Sequence, residues 1–196
     1  GQAKGLFDAI FYNKKTIDLL DKSCFFLAPN SKLPGKGWRA KFARGVCWVK
    51  LQEKQSAKIF YFFNTQFDYH SRLARDESAK LLRKQVETIT QGAPVIIVGD
   101  FNIFPKLGGR KILTRLTLPD RTGQQLVDAQ KKALFPHKGP LGTWQGFGKK
   151  EALKVKPDYI FVNKGVNVIK HEILDGALER LRPSDHLPIM AQVVVV

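Results

Sequence analysis

Cysteine, methionine and long apolar segments are scarce in this sequence. Its 196 residues include two cysteines and one methionine, and two cysteines are too few for a disulfide scaffold or a cysteine-rich zinc module. We expect Cys24 and Cys47 to lie on separate apolar strands as small buried hydrophobic residues. No apolar run approaches the roughly 20 residues of a membrane-spanning helix, so the sequence predicts no transmembrane segment.

Acidic residues are also few, and this sets the charge of the chain. Asp and Glu total 17 against 33 Lys and Arg, which gives a formal net charge of +16. The basic residues are spread along the chain, and no block of about five like charges forms a detachable arm. A field of this sign attracts polyanions such as nucleic acid, phospholipid head groups or polyphosphorylated ligands. A well-solvated surface without a ligand is the alternative.

The remaining composition is that of a globular domain. Hydrophobic residues make up 43% of the chain, and the length suits one domain, residues 1–196, with a single sizeable core. The sequence begins with Gly1 rather than Met, so we expect the native N-terminus to lie upstream.

Apolar patterning predicts an α/β chain with many strands. Strands are expected at residues 6–12, 17–28, 45–51, 58–63, 95–98, 159–162, 166–174 and 189–196. Helices are expected at residues 72–89, 109–116 and 127–133. The run at 95–98 is continuously apolar, as in a strand buried on both faces. His137 and His171 are expected to face solvent.

The strongest local signal follows this buried strand. Residues 99–102 read Gly-Asp-Phe-Asn, and side chains two positions apart can point into the same crevice at the end of a strand. Asp100 can accept a proton or orient a water molecule, and Asn102 can donate to a phosphate oxygen. An ordinary polar turn after a strand is the structural alternative.

Two further segments place acids beside apolar strands. Asp185 and His186 stand next to each other in the proline-flanked segment 184–188, where an oxygen ligand and an imidazole can bind Mg²⁺ and phosphate together. Asp158 stands at the entrance of a strand, and a carboxylate there can hold an imidazole in one tautomer. Each acid can instead satisfy local backbone donors.

Together these segments resemble the endonuclease/exonuclease/phosphatase superfamily, which includes deoxyribonuclease I. They match its G-D-x-N, D-Y-I-F and S-D-H-x-P blocks, in the family's order. Residues 143–147 resemble its Thr-aromatic segment, and residues 64–68 resemble its N-T-H-L-D strand. The resemblance implies the deoxyribonuclease I-like four-layer α/β fold, in which two mixed sheets form a sandwich flanked by helices.

The resemblance also implies a mechanism. Asp100 would orient or deprotonate the attacking water, and Asn102 would bind the scissile phosphate. His186 would contact the same phosphate and would be held by Asp158. Asp185 would help to hold a divalent cation, Mg²⁺ or Mn²⁺, that neutralises the charge developing on phosphorus.

Three more residues are implied to bind the substrate. Gln66 stands where the family has His in N-T-H-L-D, and it can donate a hydrogen bond to phosphate but cannot shuttle a proton. Arg75 lies in the helix that follows this strand. Trp144 lies in a loop, where its ring can stack on a base.

One part of the family pattern has no counterpart in this sequence. The family has an N-terminal strand that ends in Asn and a following Q-E segment whose Glu is its main metal ligand. Both lie upstream of the strand that residues 6–12 match. The resemblance therefore implies an N-terminally incomplete sandwich. Without those strands an apolar sheet edge is expected to be uncovered.

The function favoured by the resemblance is divalent-metal-dependent phosphoester hydrolysis, and the charge favours DNA or RNA as substrate. A phosphatase or a sphingomyelinase-type phosphodiesterase, acting on a phosphorylated small molecule or a phospholipid, is the alternative within the enzyme class. A catalytically impaired relative that binds polyanions is the alternative outside it, because Gln66 replaces His and the Glu has no counterpart. The lack of a counterpart to the Glu is also consistent with a fragment of an active enzyme.

Overall fold

The computed structural model describes residues 8–104, 109–121, 123–147, 155–175 and 184–196. In these ranges the chain forms eight strands and three helices. The strands are β1 (Ile17–Phe26), β2 (Gly45–Glu53), β3 (Ile59–Gln66), β4 (Val95–Asp100), β5 (Val127–Asp128), β6 (Asp158–Val162), β7 (Val166–Ile173) and β8 (Ile189–Val195). The helices are α1 (Arg72–Thr90), α2 (Arg110–Thr117) and α3 (Ala129–Lys132). None of the described helices is long and apolar enough to cross a membrane.

Six strands form one sheet, in the order β1-β2-β3-β4-β6-β5. Neighbouring strands are antiparallel except β3 and β4, which are parallel and are connected by α1. Gln66, the last residue of β3, pairs with Asp100, the last residue of β4. Asp100 also pairs with Asp158, the first residue of β6. Three predicted site residues therefore lie side by side at one end of the sheet.

Both faces of this sheet are covered. One face packs against α1 and α2 in a core that contains Ile97 of β4, Leu82 of α1 and Leu116 of α2. The other face packs against the second sheet, β7–β8, in a core that contains Ile96 of β4 and Val168 of β7. Alternate residues of β4 thus enter different cores, as the continuous apolar run predicts. The α/β fold with two packed sheets and flanking helices is confirmed.

Local hydrogen bonds fix both ends of α1. The Oγ atom of Ser71 accepts a hydrogen bond from the backbone N–H of Ala74, which caps the N-terminus. At the other end, Gln91 takes a left-handed conformation with φ of +47° and donates its N–H to the carbonyl of Glu87. The helix therefore ends at Thr90, and the chain turns through Ala93 to begin β4 at Val95.

The strand predicted at residues 6–12 is not formed in its described part. Residues 6 and 7 lie outside the described ranges, and residues 8–12 form no strand. A side chain holds this segment instead, because Asn64 donates its amide N–H to the carbonyl of Ala9 at 2.9 Å.

The helix predicted at residues 127–133 is shorter than expected. Its first two residues form β5 and pair with β6. Asp128 then accepts a hydrogen bond from the backbone N–H of Gln130 at 3.0 Å and caps α3. The polar cap ends the strand and begins the helix.

The prediction that the two cysteines are small buried hydrophobic residues is wrong. Cys24 on β1 and Cys47 on β2 are direct cross-strand partners, with Cα atoms 4.1 Å apart, and they form a disulfide. Cys24 is exposed and Cys47 is half-buried. The bond therefore ties the edge strand β1 to its neighbour β2.

His171 is buried rather than solvent-facing, and His137 is half-buried. A register shift between Val168 and Lys170 in β7 reverses the alternation of inward and outward side chains. His171 consequently points inward, where its Nδ1 atom lies 3.0 Å from Nδ1 of His137. Burial lowers the pKa of His171 to about 4, so its imidazole is neutral at physiological pH.

An apolar groove lies between parts of the two sheets. It encloses about 570 Å³. The six-stranded sheet contributes Phe62, Val98 and Ile160, and β8 contributes Ile189 and Val193. Two acidic residues of the predicted site also line it.

Candidate active site

The backbone brings Asp100 to the end of β4 through Gly99. Gly99 has φ of +154°, and a Cβ atom at this position would overlap the carbonyl oxygen of Thr65 on β3. Only glycine fits so close to the neighbouring strand. The contact holds β3 and β4 together up to their last residues, Gln66 and Asp100.

Two neighbouring side chains hold the Asp100 carboxylate. Its Oδ1 atom accepts from the backbone N–H of Asn102 at 2.9 Å. Its Oδ2 atom accepts from the side-chain amides of Asn102 at 3.0 Å and Gln66 at 3.3 Å. Burial, with the nearby Asp158 carboxylate, raises the pKa of Asp100 even though these hydrogen bonds lower it. A carboxylate held in place with a raised pKa suits a general base.

Asn102 is buried and sits in a left-handed backbone conformation with φ of +49°. Asparagine tolerates this region better than most residues. Its amide donates one hydrogen bond to Asp100 and one to the carbonyl of Phe67 at 3.0 Å. Asn102 therefore connects the end of β4 to the segment that follows β3, and both of its amide N–H groups are engaged.

His186 forms the second half of the site with Asp158. Its Nδ1 atom lies 2.8 Å from Oδ2 of Asp158. This hydrogen bond raises the pKa of His186, although partial burial opposes it. The hydroxyl of Thr143 donates to the same carboxylate oxygen. Asp158 thus orients the imidazole and favours its protonated form.

Backbone hydrogen bonds join the loop that carries Trp144 to the segment that carries His186. The two residues form an isolated antiparallel bridge. Leu187 donates its N–H to the carbonyl of Thr143 at 2.7 Å, and Gln145 donates to the carbonyl of Asp185 at 2.8 Å. Trp144, which is half-buried, is therefore fixed beside His186 by main-chain contacts.

Gln66 connects Asp100 to the buried guanidinium of Arg44, which is not among the site residues predicted from the sequence. Its Oε1 atom accepts from Nη1 of Arg44, which leaves its N–H facing Asp100. Arg44 is 6% exposed and interacts electrostatically with Asp8. Burial raises the pKa of Asp8 to about 6, and Arg44 opposes this increase. Arg44 lies in a loop and Asp8 in an apolar segment, so no motif indicates either residue.

Arg75 lies next to the turn that follows Gln66. Its Nη1 atom donates to the carbonyls of Asp68 and Tyr69 at 2.9 and 2.8 Å. Burial lowers the pKa of Arg75. The guanidinium therefore supports the backbone of this turn in the structure.

Asp185 is the residue expected to hold a divalent cation. It is half-buried, and its charge helps to raise the pKa of His186, after the larger effect of Asp158. Within the described ranges, no group of three or more His, Cys, Asp or Glu side chains is arranged to hold a metal. Mg²⁺ often takes only one or two protein carboxylates, with water and substrate phosphates as its other ligands. The carboxylates of Asp100 and Asp158 at the end of this sheet are of the type that can provide one or two such ligands.

The structure thus brings five of the eight predicted site residues together at the end of the sheet, as two hydrogen-bonded groups that meet where Asp100 pairs with Asp158 across the strands. They are Asp100, Asn102, Gln66, Asp158 and His186. Trp144 and Asp185 adjoin this group through the backbone of the two joined loops, and Arg75 lies beyond Gln66.

Comparison with known proteins places this geometry in a family. The model of the family described as "Endonuclease/Exonuclease/phosphatase family" matches residues 18–186. A comparison with curated protein sequences gives no significant match.

Solved structures are similar to this protein over nearly the whole chain. An endonuclease/exonuclease/phosphatase from Bacteroides vulgatus is 31% identical, with a TM-score of 0.83 over 94% of this chain and 69% of that chain. A mannosyl-6-phosphatase from Bacteroides thetaiotaomicron is 26% identical, with a TM-score of 0.80 over 93% of this chain and 69% of that chain. TDP2 from D. rerio is 17% identical, with a TM-score of 0.64 over 93% of this chain and 70% of that chain. At that identity the likeness is one of fold.

Proposed function

Because the chain belongs to the endonuclease/exonuclease/phosphatase family, whose members are usually hydrolases, we propose that it hydrolyses phosphoesters and that nucleic acid is its preferred substrate. One observation supports the reaction above all. The half-buried Asp100 is the cross-strand partner of Asp158, which in turn holds His186. A base and an imidazolium are thereby brought to one end of the sheet.

Asp100 accepts the proton of the attacking water. The water oxygen forms a bond to phosphorus while the bond from phosphorus to the leaving oxygen breaks. The raised pKa of Asp100 makes it a better proton acceptor than an exposed aspartate at a pH where it remains ionised. Its two oxygen atoms are already oriented by Asn102 and Gln66, so little reorganisation precedes the proton transfer.

His186 stabilises the phosphate. The hydrogen bond to Asp158 keeps its ring oriented and raises its pKa, so the imidazolium places positive charge and a donor N–H at the phosphate oxygens. Asn102 is the second phosphate donor. One of its N–H groups exchanges its present acceptor for a phosphate oxygen when substrate binds.

Enzymes of this family generally use divalent metals, and we propose Mg²⁺ or Mn²⁺ here. Asp185 would provide a carboxylate ligand. The ion would neutralise negative charge on the phosphate.

The net charge of +16 supports a long polyanion as substrate. A sugar phosphate is the second candidate, because the similar mannosyl-6-phosphatase is 26% identical and shares the fold over 93% of this chain. A phospholipid substrate is favoured by no contact in the described residues.

The test is hydrolysis of single-stranded DNA, duplex DNA, RNA and mannose 6-phosphate with Mg²⁺ present. Asp100→Ala is expected to reduce the rate by about 10²–10⁴-fold without unfolding the protein. Asp18→Ala is the matched control, because Asp18 is exposed on β1 and its carboxylate forms an ion pair with the exposed Lys54. Equal activity in Asp100→Ala would refute the mechanism. Binding of polynucleotides without hydrolysis by the wild type would favour the catalytically impaired alternative.

A further inference from the structure

An exposed pair of aromatic rings lies close to the candidate active site. Phe42 and Tyr69 are 43% and 45% exposed, and their ring centroids are 6.1 Å apart. The ammonium of Lys41 lies 5.8 Å from the Phe42 centroid and 5.4 Å from that of Tyr69. We call these three side chains the aromatic platform. Exposed aromatic rings beside a cation are typical of a binding surface rather than of a core.

A buried carboxylate holds the platform in place. Asp68, which is 1% exposed, accepts from the backbone N–H groups of Lys41 at 2.9 Å and Phe42 at 3.4 Å. Its other oxygen accepts from the N–H groups of His70 at 3.0 Å and Ser71 at 2.7 Å. The two backbone segments that carry Phe42 and Tyr69 are therefore fixed relative to each other. A fixed platform loses little conformational entropy when it binds a ligand.

The loop before Phe42 contains strained backbone. Trp38 and Arg39 have φ values of +51° and +67°, a region that residues other than glycine rarely adopt. The hydroxyl of Ser71 donates to the carbonyl of Trp38 at 2.9 Å and holds this conformation. Strain maintained by surrounding contacts is concentrated at ligand-binding segments.

The charge around the platform is positive. Arg44 lies 5.7 Å from the centroid of Phe42, and the exposed Arg39 and Arg72 flank the two segments. Asp68 is the acidic residue in the segments that carry the platform, and its oxygens already accept four backbone hydrogen bonds. The surface therefore suits a ligand that has both a flat aromatic ring and negative charge.

The platform is joined to the reacting groups by a short series of contacts. Arg44 lies against the ring of Phe42 and donates to Gln66. Gln66 donates to Asp100 at 3.3 Å. The Nε atom of Arg44 is buried and has no hydrogen-bond partner among the described residues.

We propose that the aromatic platform binds a nucleobase of a single-stranded polynucleotide, next to the phosphate that the site cleaves. The inference rests on the proposed function and narrows its substrate class. A base must be free of its duplex neighbours to lie on Phe42 or Tyr69, while the exposed ammonium of Lys41 attracts the adjoining phosphate. Stacking of one base on an aromatic side chain changes affinity by about 5- to 150-fold.

The experiment compares two oligonucleotides of equal length and charge. One is fluorescein-labelled oligothymidylate of about 12 nucleotides, and the other has abasic residues at every position. Binding is measured without metal in the Asp100→Ala background, so that neither probe is cleaved. We expect the thymidylate probe to bind about tenfold more tightly than the abasic probe.

Substitutions then locate the base preference. Phe42→Ala and Tyr69→Ala are expected to remove most of it, Phe42→Leu to do the same while keeping apolar bulk, and Phe42→Trp to retain it. Phe135→Ala is the matched control, because Phe135 is 51% exposed and lies 5.9 Å from a lysine ammonium. Melting temperatures establish that each variant is folded.

The results separate the platform from the hydrolysis. Equal binding of both probes, or a preference that Phe135→Ala removes equally, would overturn the platform. The proposal would also be overturned if neither probe were preferred and Phe42→Ala lost binding to phosphatidylglycerol vesicles, because the platform would then bind a lipid surface. Cleavage of both probes at equal rates by the wild type would refute the platform and leave the proposed hydrolysis intact. A base preference without any cleavage would support the platform and refute the hydrolysis.

Discussion

The Nδ1 atom of His186 lies 2.8 Å from the Oδ2 atom of Asp158, and 28 residues separate the two in the chain. Asp158 is also the cross-strand partner of Asp100. One carboxylate therefore raises the pKa of two groups, as a hydrogen-bond acceptor for the imidazole and as a like charge for the second aspartate. The pH dependence of activity should report on both relationships.

Replacing Asp158 with Asn should move the whole pH profile to lower pH. Asp100 must be ionised to act as a base, so the rate falls as pH falls through its pKa. Burial raises that pKa most, and the Asp158 charge raises it further. Removing the charge lowers the pKa of Asp100, and it also lowers that of His186, whose protonated form binds phosphate. The measurement is kcat against pH, with Asp18→Asn as control, and an unchanged acid limb would contradict the assignment.

Thr143 allows an opposite change. Its hydroxyl donates to the Asp158 oxygen that holds His186. In Thr143→Val that oxygen has one donor fewer and attracts the imidazolium more strongly, so the alkaline limb of the profile should move to higher pH. Thr143→Ser keeps the hydroxyl and is expected to keep the wild-type limb.

Asp68→Asn should destabilise the fold by about 2–4 kcal/mol, because the four backbone donors lose a charged acceptor and two of them then face the NH₂ group of the amide. Burial acts to raise the pKa of Asp68, but the hydrogen bonds outweigh it and the pKa is lowered. The stabilisation is therefore present at neutral pH and is lost as pH falls through the folded-state pKa. Urea unfolding at several pH values measures this. An equal cost in the exposed control Asp18→Asn would show that the effect is not specific.

Reduction of the Cys24–Cys47 disulfide should lower the free energy of unfolding by about 3 kcal/mol, because the bond closes a loop of 23 residues. The strands β1 and β2 keep their hydrogen-bonded ladder, so the native spectrum should persist at low temperature. Urea unfolding with and without reductant gives the difference. Two titratable thiols in the unreduced, denatured protein would show that the disulfide does not form.

Mg²⁺ should raise the melting temperature of the protein, since a ligand that binds only the folded state stabilises it by mass action. Asp185→Asn should reduce this shift. Asp175→Asn is the control, because Asp175 is an exposed acid after β7. A full Mg²⁺ response in Asp185→Asn would rule out that residue as a ligand.

The sequence predicts the parts of the site that short segments encode. Asp100, Asp158 and His186 each stand in a recognisable segment beside an apolar strand, and the structure brings them together. Arg44 joins the site through a contact that spans 22 residues. No local pattern indicates that contact, since it depends on where a loop crosses the end of the sheet.

Strand register explains the other differences. The pairing of Cys24 with Cys47 requires one particular alignment of β1 and β2, which apolar alternation alone does not select. The inward position of His171 depends on the register shift in β7. A one-residue shift exchanges the two faces of a strand, so a prediction from alternation fails beyond it.

The residue that fixes the backbone of the aromatic platform, Asp68, is different from the residues that would contact a ligand. Asp68 is buried and holds the loop through backbone hydrogen bonds. The rings of Phe42 and Tyr69 are exposed at the surface. Exposed side chains away from a core are replaced at little cost in folding stability. Substitutions at Phe42 and Tyr69 can therefore change the rings and charges on this loop without changing its backbone. Ligand preference can change in this way during evolution while the hydrolytic groups stay the same.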